Sequence, residues 1–294
     1  MEGYLLLALH DPRYLDLAAN FALSVKRLEQ RPVSVVISPE TPVPETYTPF
    51  FDQIIRLEDH PTLRGAMAKT LLFGVSPYER TMYIDADCLL FNTKIEFFWR
   101  QYRGHPFAVE GRPQKTGPVF ACSLGVKDAA ALCALVDVPE LTVFNAGVMY
   151  FENSAASEPV FKTAIELFEG PHRDDISYPY KHAGEYADEP FFACALAMLG
   201  IAAFRPSTTN RLQVTTPNMI DGVMDLTVGD LQVIKQVSGG ETETWAGAIG
   251  HFCGLAPMDT YFSLADQLRD EAGLARMDRS QFQAKVMTAN THHD

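Results

Sequence analysis

Residues 4–9 form a continuous apolar run of strand length, and the polar loop His10-Asp11-Pro12-Arg13 follows it. Leu15, Ala18, Phe21, Ala22, Val25 and Leu28 then recur at the spacing of one helix face. Residues 33–37 are a second, β-branched run; Pro39, Pro42, Pro44 and Pro49 mark a loop, and Ile54-Ile55 belongs to a third strand. The pattern predicts a helix over 66–73 and a fourth strand over 81–84. Farther on it predicts strands over 143–151, 201–204 and 246–252 and helices over 158–168, 190–199 and 263–274. Residues 170–186 read as a polar, aromatic loop and 288–294 as a frayed tail.

Short buried strands that alternate with helices imply an α/β fold, a mostly parallel central sheet with helices on both faces. Ligands of such sheets sit beyond the carboxyl ends of the strands. That rule directs attention to residues 10–14, 38–40 and whatever follows Ile84. No repeat and no Gly/Pro/Ser-rich linker divides the chain, so one domain with a variable C-terminal part is expected.

Composition narrows the partners. The 294 residues carry a net charge of −13, with 47% hydrophobic and 21% charged residues. This is a globular average, and the acidic balance argues against a broad nucleic-acid or anionic-membrane surface. It leaves room for a small basic pocket around one diphosphate. No apolar run reaches the roughly 18 residues of a membrane span, and the first residues lack the basic start of a signal peptide. Five scattered cysteines without a CxxC pair fit reduced thiols, and the expected location is cytoplasmic.

Asp85-Ala86-Asp87 carries the sharpest chemistry. With period-2 alternation both carboxylates leave the same side of the chain and Ala86 the other. Two carboxylates so close repel unless protons or a cation intervene, and at an exposed strand end a divalent ion resolves the conflict. A solvated acidic turn is the plain alternative. Gly147 permits close approach of backbone to a ligand, and Asn145 offers donors and acceptors to hydroxyls. Asp188 before Glu189-Pro190 reads as a helix N-cap. His251 before Phe252 reads, on its own, more readily as a hydrogen-bonded structural histidine than as a ligand, and Lys69 as a solvated helix lysine.

The segment Ser76-Pro77-Tyr78-Glu79-Arg80-Thr81-Met82-Tyr83-Ile84-Asp85-Ala86-Asp87-Cys88-Leu89-Leu90 resembles the metal-binding segment of GT-A glycosyltransferases, above all glycosyltransferase family 8. Asn145-Ala146-Gly147-Val148, Asp188-Glu189 and His251-Phe252-Cys253-Gly254 resemble further motifs of that family, in the same order. The likeness runs from Tyr4 to about Pro257. It implies a GT-A (Rossmann-like) nucleotide-sugar-binding domain over 1–257, a helical extension packed on it over 258–287 and a flexible tail over 288–294.

The resemblance also implies roles. Asp85, Asp87 and His251 would hold Mn²⁺ or another divalent cation. A UDP-sugar donor would lie against Ala8, Asp11, Tyr14, Ala86, Asn145, Gly147 and Gly254, with Ala8, Asp11 and Tyr14 around the base. Lys69 would reach toward phosphates and sugar, Asp188 would touch the transferred sugar, and Glu189 would stand beside the anomeric carbon. The implied activity is retaining hexosyl transfer from UDP-glucose or UDP-galactose to an unknown glycan, lipid, protein or small-molecule acceptor. A homodimer is admitted. Two departures stand out: the family usually has Gln at the place of Glu189, and Leu255-Ala256-Pro257 replaces its diphosphate-clamping lysine. Arg64, Lys115 and Lys235 are the substitute cations considered. The acceptor side falls on 170–186, where Tyr178, Tyr180 and Tyr186 offer stacking faces, and on the stretch after Pro257. Other readings are a catalytically impaired nucleotide-sugar binder, a haloacid-dehalogenase-like phosphohydrolase using Asp174-Asp175 as a distal pair, and a sugar-phosphate nucleotidyltransferase. The last would want a glycine-rich loop after the first strand, which Leu9-His10-Asp11-Pro12 lacks.

Overall fold

In the computed structural model, which describes residues 1–117, 128–177, 185–237 and 240–282, six strands form the central sheet. Glu2–Ala8, Val33–Ile37, Gln53–Arg56 and Arg80–Ile84 are mutually parallel, with Glu2–Ala8 between Val33–Ile37 and Arg80–Ile84. Val148–Glu152 then adds antiparallel to Arg80–Ile84, and Phe107–Ala108 antiparallel to it in turn. The sheet is mixed but mostly parallel, as the apolar runs imply.

Period-2 alternation divides its side chains between two cores. Tyr4, Leu6, Ala8, Val35, Met82, Ile84 and Tyr150 pack on one face with helices Arg13–Leu28 and Met258–Glu271. Leu5, Val36, Tyr83, Met149 and Phe151 pack on the other with Glu158–Glu169 and Glu189–Met198. Residues 258–282 share the first core. Tyr261, Phe262 and Leu268 are buried in it, and Arg269 donates to Asn20 Oδ1 (3.0 Å) and the Tyr47 hydroxyl (2.6 Å). No helix of the described residues is long and apolar enough to cross a membrane.

Several expectations are corrected. The run 143–151 is two strands in different sheets, Leu141–Phe144 and Val148–Glu152, because Asn145-Ala146-Gly147 turns between them. Residues 201–204 form no strand; Phe204 makes one isolated bridge to Glu110. Residues 66–73 are mainly a 3₁₀ segment, Gly65–Leu71, with α-helix only over Leu72–Val75. Gly65, at φ +57°, starts that segment outside helical geometry. The last helix begins at Met258, not 263, and the predicted loop 170–186 contains the short helix Arg173–Ile176. Tyr178, Tyr180 and the 288–294 tail lie outside the described residues.

A second sheet escapes the sequence reading almost entirely. Arg211–Thr215 pairs with Thr242–His251, which pairs in turn with Asp230–Gln236 and, through that strand, with Met219–Asp225. The far end of Thr242–His251 pairs antiparallel with Cys88–Leu90, setting His251 opposite Cys88. This pairing brings His251 to the D-x-D turn.

Candidate active site

After Gln53–Arg56 the chain crosses to the other side of Glu2–Ala8 and enters Arg80–Ile84. The loops that leave the carboxyl ends of Glu2–Ala8 and Arg80–Ile84 therefore diverge and open a crevice, the usual ligand position in such sheets. A cavity of about 560 Å³ lies there, lined by Asp11, Tyr14, Lys69, Tyr83, Asp85 and Asp87 among others.

Three segments converge at its base. His251 Nε2 lies 3.2 Å from Asp87 Oδ1 and 3.6 Å from Asp85 Oδ2. Asn145 Oδ1 accepts from the Gly147 N–H at 3.0 Å and faces His251 Nδ1 at 2.9 Å. Two donors on one oxygen fix the amide's orientation. Against burial, Cys253 and Asp87 raise the imidazole well above its ordinary value, so without an ion both ring nitrogens carry protons, Nδ1 toward Asn145 and Nε2 toward the carboxylates; a bound metal would displace the Nε2 proton. Gly147 is required at this place: a Cβ would stand 2.2 Å from His251 Nδ1. The Gly147 carbonyl accepts from the Asp85 N–H at 2.8 Å, and Asp87 Oδ2 accepts from the Gly254 N–H at 3.2 Å. Gly254, at φ +64°, makes that approach in a conformation suited to glycine.

These donors fit a divalent ion. Bonds of about 2.1 Å in octahedral or tetrahedral array separate neighbouring ligand atoms by roughly 3.0–3.4 Å, close to the separations of His251 from each aspartate. Carboxylate oxygens with one imidazole suit Mn²⁺ better than Mg²⁺. Among the described residues, the ligand atoms that all lie within 4.8 Å of one another are those of Asp87, Cys88 and His251, a group that does not include Asp85. Without an ion, burial pushes the Cys88 thiol well up; a bound metal would deprotonate it outright, so Cys88 stands beside Asp87 and His251 as a candidate ligand.

Lys69 organises the opposite wall. Its ammonium is buried, 3.0 Å from Asp85 Oδ1 and 3.4 Å from Asp188 Oδ2, and it donates to the Ala146 carbonyl at 3.2 Å. Burial opposes its charge, but Asp188 and Asp85 outweigh that and raise it well above an ordinary lysine. Against burial, Lys69, His251 and the Tyr83 hydroxyl hold the Asp85 carboxyl below its usual value.

No family model matches the chain, and no curated protein does. Solved structures do. Galactosyltransferase LgtC, in complex with donor and acceptor sugar analogues, covers 97% of this chain and 100% of its own at 13% identity, with a TM-score of 0.52. An active-site mutant of LgtC covers 91% and 96% at 14% identity, with a TM-score of 0.50. The fold is GT-A.

Within this GT-A frame the expected residues divide. Asp85, Ala86, Asp87, Asp11, Tyr14 and Lys69 line the cavity; Asn145, Gly147 and His251 meet beneath it. Ala8 is buried in the core, and its neighbours Leu7 and Leu9 line the cavity instead. Asp11 holds Arg13 through both carboxylate oxygens (2.9 and 2.6 Å). Gly254 borders a smaller adjoining cavity with Tyr14 and Phe282. Asp188 stands at the N-cap position without a side-chain cap bond, because its carboxylate turns to Lys69. Among the substitute cations, Arg64 is exposed beside Asp59, Lys115 faces Glu140, and Lys235 donates to Thr215 Oγ1 and the Pro217 carbonyl. Asp174, on its short helix, accepts from the Tyr186 hydroxyl and is not among the cavity-lining residues.

Tyr83, Glu185 and Gln213 were missed. Tyr83 donates to Asp85, Glu185 lines the cavity, and Gln213 Nε2 donates to the Asn145 carbonyl at 2.8 Å. The alternation in Arg211-Leu212-Gln213-Val214-Thr215 was the signal for the last of these.

Glu189 accepts from the Ala146 N–H at 3.3 Å and the Asn145 amide at 3.4 Å. Burial and the neighbouring Asp188 raise its carboxyl from 4.5 to about 7. The unfolded chain thus loses this proton first, and between about pH 4.5 and pH 7 Glu189 progressively disfavours the fold. The interval corresponds to about 3 kcal/mol if fully expressed, and partial exposure reduces this to about 1–2 kcal/mol. Glu189→Gln is expected to raise Tm at pH 8 and to raise it much less at pH 5; equal shifts in the two melts would contradict the assignment.

Proposed function

We propose that this protein is a retaining glycosyltransferase that moves a hexose from UDP-glucose or UDP-galactose to an acceptor, with Mn²⁺ held by Asp85, Asp87 and His251. The observation that carries this reading is the meeting of those three side chains beneath the crevice lined by Asp11 and Tyr14. When bound, the ion neutralises the diphosphate and serves as a Lewis acid toward the departing group.

The chain's own residues do the rest. Tyr14, 39% exposed at the cavity mouth, offers a ring face to the base. Arg13 orients the Asp11 carboxylate, which can accept the uracil N3–H. Lys69 holds Asp85 in place, and Asn145 holds the His251 ring. In front-face displacement the acceptor oxygen bonds to the anomeric carbon as the bond to UDP breaks, and the departing phosphate takes the acceptor's proton. No enzyme nucleophile is needed. Hydrogen bonds from Ala146 and Asn145 already occupy one Glu189 oxygen, which suits a positioning role beside the sugar. The LgtC mutant carries a Gln-to-Glu change, the same exchange that the family resemblance sets at Glu189.

Incubation with nucleotide sugars and Mn²⁺, followed by assay of released UDP, tests the activity. Binding of UDP-sugar without release would favour an impaired binder, and hydrolysis of a generic phosphoester a phosphohydrolase. Proton NMR of the first-formed glycoside tests the stereochemistry: a β-linked product from the α-linked donor would refute retention. Tyr14→Ala is expected to weaken UDP binding by roughly 1–3 kcal/mol, the scale of one base–aromatic stack; an unchanged Kd by calorimetry would make Tyr14 merely structural.

A further inference from the structure

Beside the centre, the strand Arg211–Thr215 presents Arg211, Gln213 and Thr215 on one face. Gln213 reaches the Asn145 carbonyl with its amide nitrogen, while its Oε1 is buried without a partner. Arg211 is 7% exposed, and its guanidinium lies 4.0 Å from the centroid of the Trp245 ring. Its Nε and Nη2 are buried and bond to nothing. The charged groups around it are Glu110, Glu243 and Arg112. Glu110 accepts from the Leu212 N–H at 2.8 Å and Glu243 from the Trp245 indole at 2.8 Å. Neither carboxylate closes an ion pair with Arg211. Arg112 is a like charge.

Buried guanidinium donors without acceptors are costly, and a fold retains them where a ligand supplies what is missing. We propose that Arg211, Gln213 and Trp245 form an acceptor subsite for an anionic sugar, whose carboxylate or phosphate Arg211 grips. The role as acceptor site rests on the glycosyltransferase reading; the anion binding does not. A planar guanidinium fork matches either anion through paired hydrogen bonds; the half-buried Trp245 ring carries that guanidinium, and the Lys235 ammonium lies 5.3 Å from the same ring centroid, a second cation beside the subsite. Gln213 Oε1 is an acceptor for a hydroxyl. The placement fits as well. Arg211 pairs with Gly247, four residues before His251 on the neighbouring strand, roughly 13 Å at about 3.3 Å per residue.

Calorimetry and tryptophan fluorescence, on protein with UDP and Mn²⁺, test this with methyl β-glucuronide, glucose 6-phosphate and methyl β-glucoside. At least one anionic probe is expected to bind about tenfold or more tightly than the neutral glucoside, and to change the emission of Trp245. Preference for the glucuronide identifies a carboxylate ligand; preference for the phosphate ester identifies a phosphate. Arg211→Gln should abolish the preference and Arg211→Lys keep part of it, with UDP affinity unchanged in both. Equal binding of all three probes, or a preference that survives Arg211→Gln, overturns the proposal. On the wild-type protein, added NaCl should weaken the anionic probe selectively; a salt-insensitive preference overturns the proposal without recourse to a variant. Failure of UDP to bind with Mn²⁺ would count against the transferase reading, and the probe comparison would still decide whether Arg211 binds anions.

Discussion

Asp87→Asn is expected to lower kcat/KM for sugar transfer by about 10³-fold or more, the scale at which an enzyme loses a principal stabiliser of developing charge. The variant keeps a side-chain oxygen for the Gly254 N–H, and Asp87 lies at the cavity rather than in the core, so Tm should hardly move. What disappears is one of the two negative charges that face His251 Nε2. Calorimetric titration with Mn²⁺ should show the affinity falling in parallel with turnover. Wild-type rates in this variant, or full wild-type activity in excess EDTA, would sink the metal assignment.

Lys69→Met is expected to act on the fold itself. Removing the ammonium strands the buried Asp188 carboxylate and leaves the half-buried Asp85 without its cation, and breaking one side of such a buried arrangement costs about 3–5 kcal/mol. Urea or thermal unfolding measures this directly. Mn²⁺ should return part of the loss, because an ion that binds only the folded chain stabilises it by mass action. A variant as stable as wild type would show that Lys69 is a ligand-facing side chain and not the neutraliser of these two acids.

The half of the molecule written in contiguous apolar strands was legible. Residues 33–37 match the strand Val33–Ile37, and the D-x-D turn stands at the strand end where it was expected. Such strands are buried on both faces, so composition alone marks them. Much of the second sheet was not legible because its outer strands are half-exposed. Met219–Asp225 carries exposed Ile220 and Val223, and Asp230–Gln236 alternates irregularly. The turn at Asn145-Ala146-Gly147 was hidden for a different reason: apolar residues flank it on both sides, and only its contact with His251 shows why the chain bends. Asp188 stands at the N-cap position read from the sequence, but its carboxylate makes no cap bond because a distant lysine competes for it. In each case a partner remote in sequence overrode a sound local preference.

The pairing of Cys88–Leu90 with Ile249–His251 also sets the order in which the centre is completed during synthesis. A nascent chain halted before residue 251 presents Asp85 and Asp87 without the imidazole, and Asn145 without the ring it orients. Under the proposed metal assignment, tight capture of the ion would therefore mark the docking of the strand Thr242–His251.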